Sequence, residues 1–206
     1  MLYKHTIKTN NYLKSEVKGY YHQFYIGHLK PGNPDFLNTL KNQFNTGNLQ
    51  ELIQARDIVT DILIEDIPRI ISEEQIVDCI LVCVPRAKSY KSYTANQLLF
   101  KEAIELSTSK LRNVKDGSDF IRRIINTFTT HLRYATHIEN DGKKPYPGIT
   151  KDTCSIQYDQ IQNQNIILID DIYTANVNID EDCIQWLLDC GARNVIFYSI
   201  GLTRRY

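Results

Sequence analysis

Two adjacent carboxylates, Asp170 and Asp171, directly follow the apolar run 166–169. Neighbouring carboxylates repel each other, so they require a cation or hydrogen-bond donors close by. Ribose diols and Mg²⁺ are both suitable partners for such a pair. The alternative is that one acid caps the next helix while the other faces water, and the spacing alone leaves both interpretations open.

A polar loop follows the acid pair and leads into a predicted helix that begins near Ile179. The loop consists of Thr174, Ala175, Asn176, Val177 and Asn178. Backbone N–H groups in such a loop, together with the N-terminus of the next helix, can bind a phosphate group. Acids that hold sugar hydroxyls beside a loop that holds phosphate predict a site for a phosphorylated sugar.

A second loop of chemical interest follows an earlier apolar run, 76–84, which Asp78 interrupts. This loop begins with Pro85, Arg86, Ala87 and Lys88. Isolated cations of this kind are usually surface charges. At the end of a core strand, however, Arg86 and Lys88 are placed where ligands of α/β sheets bind, so we expect them to meet an anion.

The elements that must position these loops alternate along the chain. The runs predicted as core strands are 76–84, 166–169 and 195–200, and the predicted helices are 94–106, 120–128 and 179–188. Alternation of this kind predicts an α/β fold with a mostly parallel sheet flanked by helices. The two loops would then follow strands of one sheet, at its carboxyl edge.

The first 71 residues are predicted to form an N-terminal extension of an α/β domain that occupies residues 72–206. The start of the extension is rich in aromatic residues, and its pattern over 20–26 favours a strand or hairpin. A helical pattern begins at residue 49, and Pro68 should end or bend that helix.

The polar stretch 134–153 is long for a connection inside a compact domain, and it predicts a lid-like loop. Four residues beside or within it are candidates for contacts to a ligand. They are His131, Arg133, Tyr134 and His137, and solvent-facing surface positions are the alternative for all four.

The strand, acid pair and loop resemble a known family. The stretch 166–174 has four apolar residues, two acids, an apolar residue, any residue and a threonine, and it is similar to the ribose-phosphate loop of type I phosphoribosyltransferases. The residues that resemble its ComF-like branch are Val84-Pro85 with the basic loop, Asn96-Gln97 at a helix start, 154–156, and 201–204. The zinc ribbon that many ComF proteins carry is missing, and the aromatic and helical extension stands in its place.

The resemblance implies a type I phosphoribosyltransferase fold and a pentosyltransferase activity in nucleotide metabolism. Such an enzyme binds phosphoribosyl pyrophosphate with Mg²⁺ and transfers the phosphoribosyl group to a nitrogenous base. By this resemblance Asp170 and Asp171 hold the ribose hydroxyls, directly or through water and metal. Residues 174–178 hold the 5′-phosphate, residues 85–88 meet the pyrophosphate, and the loop 134–153 closes over the site and excludes water.

The loop departs from the family pattern Thr-Thr-Gly-x-Thr at three positions. Ala175 lacks the hydroxyl of the second threonine, Asn178 replaces the last threonine, and Asn176 replaces glycine. Asparagine tolerates the left-handed conformation better than other non-glycine residues, so the loop shape can survive. These departures keep an alternative open: a non-catalytic nucleotide or ribose-phosphate sensor or interaction module, linked to DNA uptake or mobile-element biology.

The composition limits the function classes. Of the 206 residues, 24 are Lys or Arg and 24 are Asp or Glu, so no overall charge attracts nucleic acid or an anionic membrane. The basic pairs 122–123, 143–144 and 204–205 are typical of solvated surface. No apolar run reaches the roughly 20 residues that span a bilayer, and the five cysteines fit buried, reduced thiols. We therefore expect a cytoplasmic protein that binds a small molecule, with the extension available for a homodimer or a partner protein.

Overall fold

The computed structural model describes residues 1–132 and 139–204. The strands are β1 (Tyr3–Ile7), β2 (Val17–Tyr25), β3 (Cys79–Cys83), β4 (Val114–Asp116), β5 (Ile121–Arg123), β6 (Cys154–Ile156), β7 (Asn165–Tyr173) and β8 (Asn194–Thr203). The α-helices are α1 (Asp35–Lys41), α2 (Leu49–Glu74), α3 (Leu99–Thr108), α4 (Ile149–Thr153), α5 (Tyr158–Ile161) and α6 (Ile179–Asp189). Short 3₁₀ turns lie at Tyr90–Ser92, Ala95–Gln97 and Thr130–Leu132.

Six of these strands form one sheet in the order β1-β2-β8-β7-β3-β4. Along this order, neighbouring strands pair in parallel from β2 through β8, β7 and β3 to β4, whereas β1 pairs antiparallel with β2. Alternate residues of β7 enter two different cores: Leu168 packs on the side of α6, and Ile167 packs on the side of α2 and α3. Burial on both faces explains why these strands are continuously apolar, and it confirms the predicted mostly parallel α/β architecture.

The N-terminal segment is part of the same sheet. Strand β2 runs parallel to β8, with Tyr20 opposite Tyr198, and α2 packs its apolar stripe against the sheet. The predicted boundary between residues 71 and 72 falls inside α2. This segment therefore adds two strands and two helices to the structure that positions the candidate site.

Helix α2 does not end at Pro68 but continues to Glu74. It begins at Asn48, whose side-chain oxygen accepts hydrogen bonds from the N–H groups of Gln50 and Glu51. Pro68 is exposed, so the carbonyl that loses its helical partner there can remain near solvent. The buried stripe that includes Leu63, Ile67 and Ile70 continues past the proline, and its packing outweighs the missing hydrogen bond.

The helix predicted over 120–128 was wrong. Residues 121–123 form β5, which pairs antiparallel with β6 through Ile121 opposite Ile156 and Arg123 opposite Cys154. Burial alternates along β5, and the apolar residues Ile124 and Ile125 are 56% and 55% exposed. The apolar spacing that resembled a helical face therefore belongs to a short strand followed by exposed residues.

Part of the stretch predicted as a lid-like loop is helical, because residues 149–153 form α4. Residues 139–148 contain no helix, and Asn140 in this segment exchanges hydrogen bonds with the backbone of Thr129. Residues 133–138, including Arg133, Tyr134 and His137, lie outside the described residues. Among the described helices, none combines the length and the apolar character that crossing a membrane requires.

Candidate functional site

A cavity of about 690 Å³ opens at the carboxyl ends of β3 and β7. The two strands are parallel neighbours, with Cys83 opposite Ile169, so the loops that follow them meet at one edge of the sheet. Both predicted loops contribute to the lining. From those loops the lining residues are Pro85, Arg86, Ala87, Lys88, Asp170, Asp171, Thr174, Ala175, Asn176 and Val177.

Asn178 lies beside the cavity rather than in its lining. Its side-chain oxygen accepts a hydrogen bond from Asn10 Nδ2 at 3.2 Å, and its amide donates to the Asn176 carbonyl at 3.3 Å. The side chain predicted to help hold a phosphate therefore connects the loop to the N-terminal segment.

The loop 174–178 folds as a tight turn. The N–H of Val177 donates to the carbonyl of Thr174 at 3.2 Å, and Asn176 adopts φ 73°, as the third position of a type II turn requires. Asn178 is also left-handed, with φ 68°. The left-handed conformation at the position of the family's glycine is therefore present with asparagine in its place.

We call Asp170, Asp171 and Asp180 the acidic wall of the cavity. Asp170 accepts a hydrogen bond from the N–H of Asp171 at 2.8 Å, and its carboxyl group is also hydrogen-bonded to that of Asp180. Two carboxyl groups form such a bond only when one of them carries a proton. Desolvation and then the charge of Asp171 raise the pKa of Asp170 to about 7, and desolvation and then the charge of Asp170 raise the pKa of Asp180. The pair therefore holds a proton in the neutral range.

Asp171 is less enclosed. One of its oxygens accepts a hydrogen bond from the N–H of Ile172, and the other lies 3.9 Å from the Nζ of Lys41. Lys41 ends α1 and also lies over the ring of Tyr25 at 5.9 Å. The separation is too long for a hydrogen bond, so this pair is a loose contact across the cavity.

The first turn of α6 carries three buried acids with three different surroundings. Glu181 accepts a hydrogen bond from the hydroxyl of Tyr173 at 2.9 Å, and Asp182 accepts from the N–H groups at the start of α4. Asp180 instead lines the cavity. The positive end of the helix favours all three carboxylates, and an anion bound there would have to share that end with Asp180.

We call residues 85–88 the basic wall. Arg86 donates to the carbonyls of Gln97 and Lys41, both at 2.6 Å, and its guanidinium lies 4.6 Å from the ring centre of Tyr93. The Nζ of Lys88 donates to both the carbonyl and the carboxylate of Asp141 and to the carbonyl of Thr127. An ammonium group has three donors, so Lys88 is saturated by protein. The two cations predicted to meet pyrophosphate are instead bound within the protein.

Gln97, of the Asn96-Gln97 motif, is hydrogen-bonded to the same region after the end of α1 that Arg86 contacts. The side-chain amide of Gln97 donates to the carbonyls of Asn42 and Gln43, each at 3.1 Å, and its oxygen accepts from the N–H of Thr94. Gln97 and Arg86 thus join the end of α1 to the loop after β3. This places Lys41 in the lining of the cavity.

Other cations near the cavity are also paired. Asp119 binds Lys101 at 3.1 Å and Arg122 at 2.9 Å. Arg123, which belongs to a pair predicted to lie on the solvated surface, is 3% exposed and donates to the carbonyl of Arg86. The prediction for Arg123 was therefore wrong, because a strand position turns its side chain inward.

Several residues of the lining carried no signal in the sequence. Lys41 is the last residue of α1 and Asp180 lies in the first turn of α6, and charges are common at helix ends. His131, by contrast, was named as a candidate and does line the cavity. Aromatic side chains complete the lining, and they are Tyr25, Tyr90, Tyr93, Phe100 and Phe128.

The acidic wall does not form a metal site by itself. Within residues 1–132 and 139–204, no group of three or more histidine, cysteine or acidic side chains is arranged to hold a metal ion. Asp170 and Asp180 share a proton, which leaves Asp171 as the carboxylate best placed to approach a cation. A metal ion here would need further oxygen ligands from a bound molecule.

Comparison with models of known protein families gave no match, and neither did comparison with curated proteins.

Proposed function

We propose that this protein is phosphoribosyltransferase-like and that its cavity binds phosphoribosyl pyrophosphate or a related ribose phosphate. The observation that carries the proposal is the meeting of three features at one sheet edge. An acid pair lies in the last four residues of β7, a tight left-handed turn follows the strand, and both open into a cavity of suitable size.

In this proposal Asp170 and Asp171 bind the ribose hydroxyls, and the backbone of residues 174–178 binds the 5′-phosphate. The N–H of Val177 closes the turn on the carbonyl of Thr174, and turns of this kind recur in anion-binding loops. Lys41, rather than Arg86 or Lys88, is the cation that supports the phosphate or pyrophosphate, because its nearest carboxylate is only a 3.9 Å contact.

Mg²⁺ enters this proposal with the ligand. The diphosphate oxygens of phosphoribosyl pyrophosphate would supply most of the ligands of the ion, and Asp171 would hold it directly or through water. The ion therefore belongs to the bound donor rather than to a site made by the protein alone.

If the protein is an enzyme, the reaction is transfer of the phosphoribosyl group to a nitrogenous base with release of pyrophosphate. The aromatic lining of the cavity supports this version, since planar bases stack on aromatic rings. A cytoplasmic location goes with the proposal, because both the donor and the bases are metabolites of that compartment.

A second candidate is a non-catalytic sensor or interaction module that binds the same ligand class. Two observations favour it: Ala175 lacks a hydroxyl for the phosphate, and Arg86 and Lys88 are engaged by the protein. A link to DNA uptake, and a homodimer or partner protein at the N-terminal segment, remain predictions under either candidate.

The test is a Mg²⁺-dependent pyrophosphate-release assay with phosphoribosyl pyrophosphate and a panel of bases, with calorimetric binding measured in parallel. We expect binding, and release identifies the enzyme. Binding without release with every base supports the sensor instead. No binding, together with an Asp171→Asn variant that behaves like the wild type, would overturn the proposed ligand class. Asp159→Asn, an exposed acid on α5, is the matched control.

A further inference from the structure

The ammonium group of Lys88, in the basic wall, is bound by an acid of the protein itself. Its three partners are the carboxylate of Asp141 at 2.5 Å, the carbonyl of Asp141 at 2.7 Å and the carbonyl of Thr127 at 3.1 Å. Two of these acceptors are neutral backbone groups, but the third carries a full negative charge. The basic wall therefore already binds an anion, and that anion belongs to the protein.

The neighbours of Asp141 hold its carboxylate in place. Its second oxygen accepts a hydrogen bond from Nδ2 of Asn126 at 2.8 Å, and Oδ1 of Asn126 accepts from the N–H of Ser89 at 2.9 Å. The next residue, Gly142, has φ 98°, and a Cβ there would lie 2.6 Å from the carbonyl oxygen of Asn126. The two backbones therefore pack closely, and Asp141 is fastened to the loop that carries Lys88.

Asp141 is charged and yet partly open to solvent. Hydrogen bonds from Lys88 and then from Asn126 hold the pKa of Asp141 below its ordinary value, so it is ionised in the neutral range. Its side chain is 48% exposed, whereas that of Lys88 is 15% exposed. An ion pair that is half open to water contributes little net stability, so an anion of higher charge can compete for the same ammonium group. Pyrophosphate is such an anion.

Lys88 is placed where a ligand could take over this contact. All four residues of the basic wall line the cavity. A lysine side chain has a flexible four-carbon stem and three rotatable donors, so an ammonium group released by Asp141 can turn toward a ligand. Arg86 does not have this freedom, because two carbonyls and the ring of Tyr93 hold its planar guanidinium. Of these two cations, Lys88 is therefore the one whose charged partner can be exchanged.

We propose that Asp141 is an autoinhibitory anion, which occupies Lys88 and lowers the affinity of the cavity for pyrophosphate. The inference rests on the proposed function and deepens it by naming how the same site is regulated. In the structure, Lys41 is the cation open to a ligand, and Asp141 withholds Lys88. Exchange of the Asp141 carboxylate for a ligand oxygen adds Lys88 as a second cation.

The experiment measures the binding of inorganic pyrophosphate and of ribose 5-phosphate by calorimetry, at one fixed pH and salt concentration. Asp141→Asn removes the charge and keeps the shape of the side chain, and it should bind pyrophosphate about threefold to tenfold more tightly than the wild type. Affinity for ribose 5-phosphate should change less, because its phosphate is proposed to bind the loop 174–178. Glu139→Gln is the matched control, since it removes an exposed acid from the same segment, and it should give no gain.

A double variant tests whether the gain acts through Lys88. The increase in pyrophosphate affinity should be absent when Asp141→Asn is combined with Lys88→Gln. Thermal unfolding shows whether each variant is folded. If Asp141→Asn is not, Asp141→Ser gives the same test, because the backbone carbonyl that accepts from Lys88 is retained.

Three results would overturn the inference. A folded Asp141→Asn variant that binds pyrophosphate like the wild type would leave Asp141 with a structural role. A gain that survives Lys88→Gln, or that Glu139→Gln also produces, would indicate an effect of overall charge. In all three cases the proposed function stands as long as the wild type binds ribose 5-phosphate. If neither the wild type nor Asp141→Asn binds either probe, the proposed function falls together with this inference.

Discussion

The acidic wall lies at the end of β7 and the start of α6, and the basic wall follows the neighbouring parallel strand β3, but the protein uses the hydrogen-bonding capacity of the two walls to different extents. In the basic wall, Arg86 and Lys88 donate to backbone carbonyls and to Asp141. In the acidic wall, Asp180 Oδ1 has no hydrogen-bond partner within residues 1–132 and 139–204, and Asp171 makes only a loose contact with Lys41. The sign of a charge beside a cavity is therefore a weaker guide to ligands than the hydrogen-bonding capacity that the protein leaves unused.

The two walls also contribute differently to the stability of the fold and to ligand binding. Arg86 connects the basic wall to Lys41 and Gln97, and Lys88 connects it to the segment between residues 127 and 141. This wall therefore stabilises the fold. Like charges and an unpaired oxygen make the acidic wall unfavourable without a ligand, and functional sites are commonly stabilised less well than the rest of a protein. Substitutions in the two walls should therefore have opposite effects on stability.

The largest effect is expected for Arg86→Met. This change removes the hydrogen bonds to the carbonyls of Gln97 and Lys41 and the stacking on Tyr93, and it should lower the free energy of unfolding by about 3 kcal/mol. Chemical denaturation measures it, with the exposed Arg112→Met as control. Unchanged stability together with lost ligand binding would instead identify Arg86 as a ligand-binding cation. It would contradict the conclusion that the basic wall mainly stabilises the fold.

Neutralising Asp170 in the acidic wall should raise the free energy of unfolding, whereas Arg86→Met lowers it. Burial, followed by the charge of Asp171, raises the pKa of Asp170 to about 7 in the folded protein. Between its ordinary pKa and that value, the unfolded carboxyl ionises while the folded one stays protonated, so wild-type stability falls as pH rises through this window. Asp170→Asn escapes this loss.

The Asp170→Asn variant should therefore be more stable than the wild type by roughly 2 kcal/mol at about pH 8, with no difference near pH 4. Asp170 retains some contact with solvent, which makes the expected gain smaller than full burial would give. Denaturation at several pH values measures the difference. A gain that is independent of pH, or a loss at about pH 8, would contradict this account of the acidic wall.

Asp171→Asn should separate binding from stability. Because Asp171 is half-buried and makes only a loose contact with Lys41, stability should change little. Affinity for ribose 5-phosphate should fall about tenfold, since a charge-assisted hydrogen bond to the ligand is lost. Calorimetry of this variant beside Asp159→Asn checks the expectation, and equal affinities in both would argue against a ligand at this carboxylate.

The smallest effect is expected in the loop between the walls. Ala175→Ser adds the hydroxyl that the family pattern has at this exposed position, and it should strengthen phosphate binding by about threefold to tenfold. Ala175→Val, which adds volume without a donor, is the matched control. A serine variant that binds phosphate no better than the valine variant would show that the phosphate does not contact this part of the loop.

Much of the framework could be predicted from local sequence. The run before Asp170 is continuously apolar because both faces of β7 are buried, and this signal predicted a parallel sheet with the acids at its carboxyl edge. Asparagine at position 176 predicted a left-handed residue, which the turn contains. An error arose where packing overruled a local pattern, in the strand at 121–123. Of the two effects expected of Pro68, ending the helix is excluded because α2 continues to Glu74.

The sequence by itself determined the core strands β3, β7 and β8, the two loops and the acids and cations predicted for them, because continuous apolar runs and turn residues are local signals. Only the tertiary structure decided which of those charges remain available to a ligand. Arg86 meets a carbonyl 45 residues away and Lys88 a carboxylate 53 residues away, while Asp171 makes only a 3.9 Å contact with Lys41. A hydrogen-bond partner at such a distance along the chain is set by the packing of α1 and of the segment after residue 139, which no local pattern encodes.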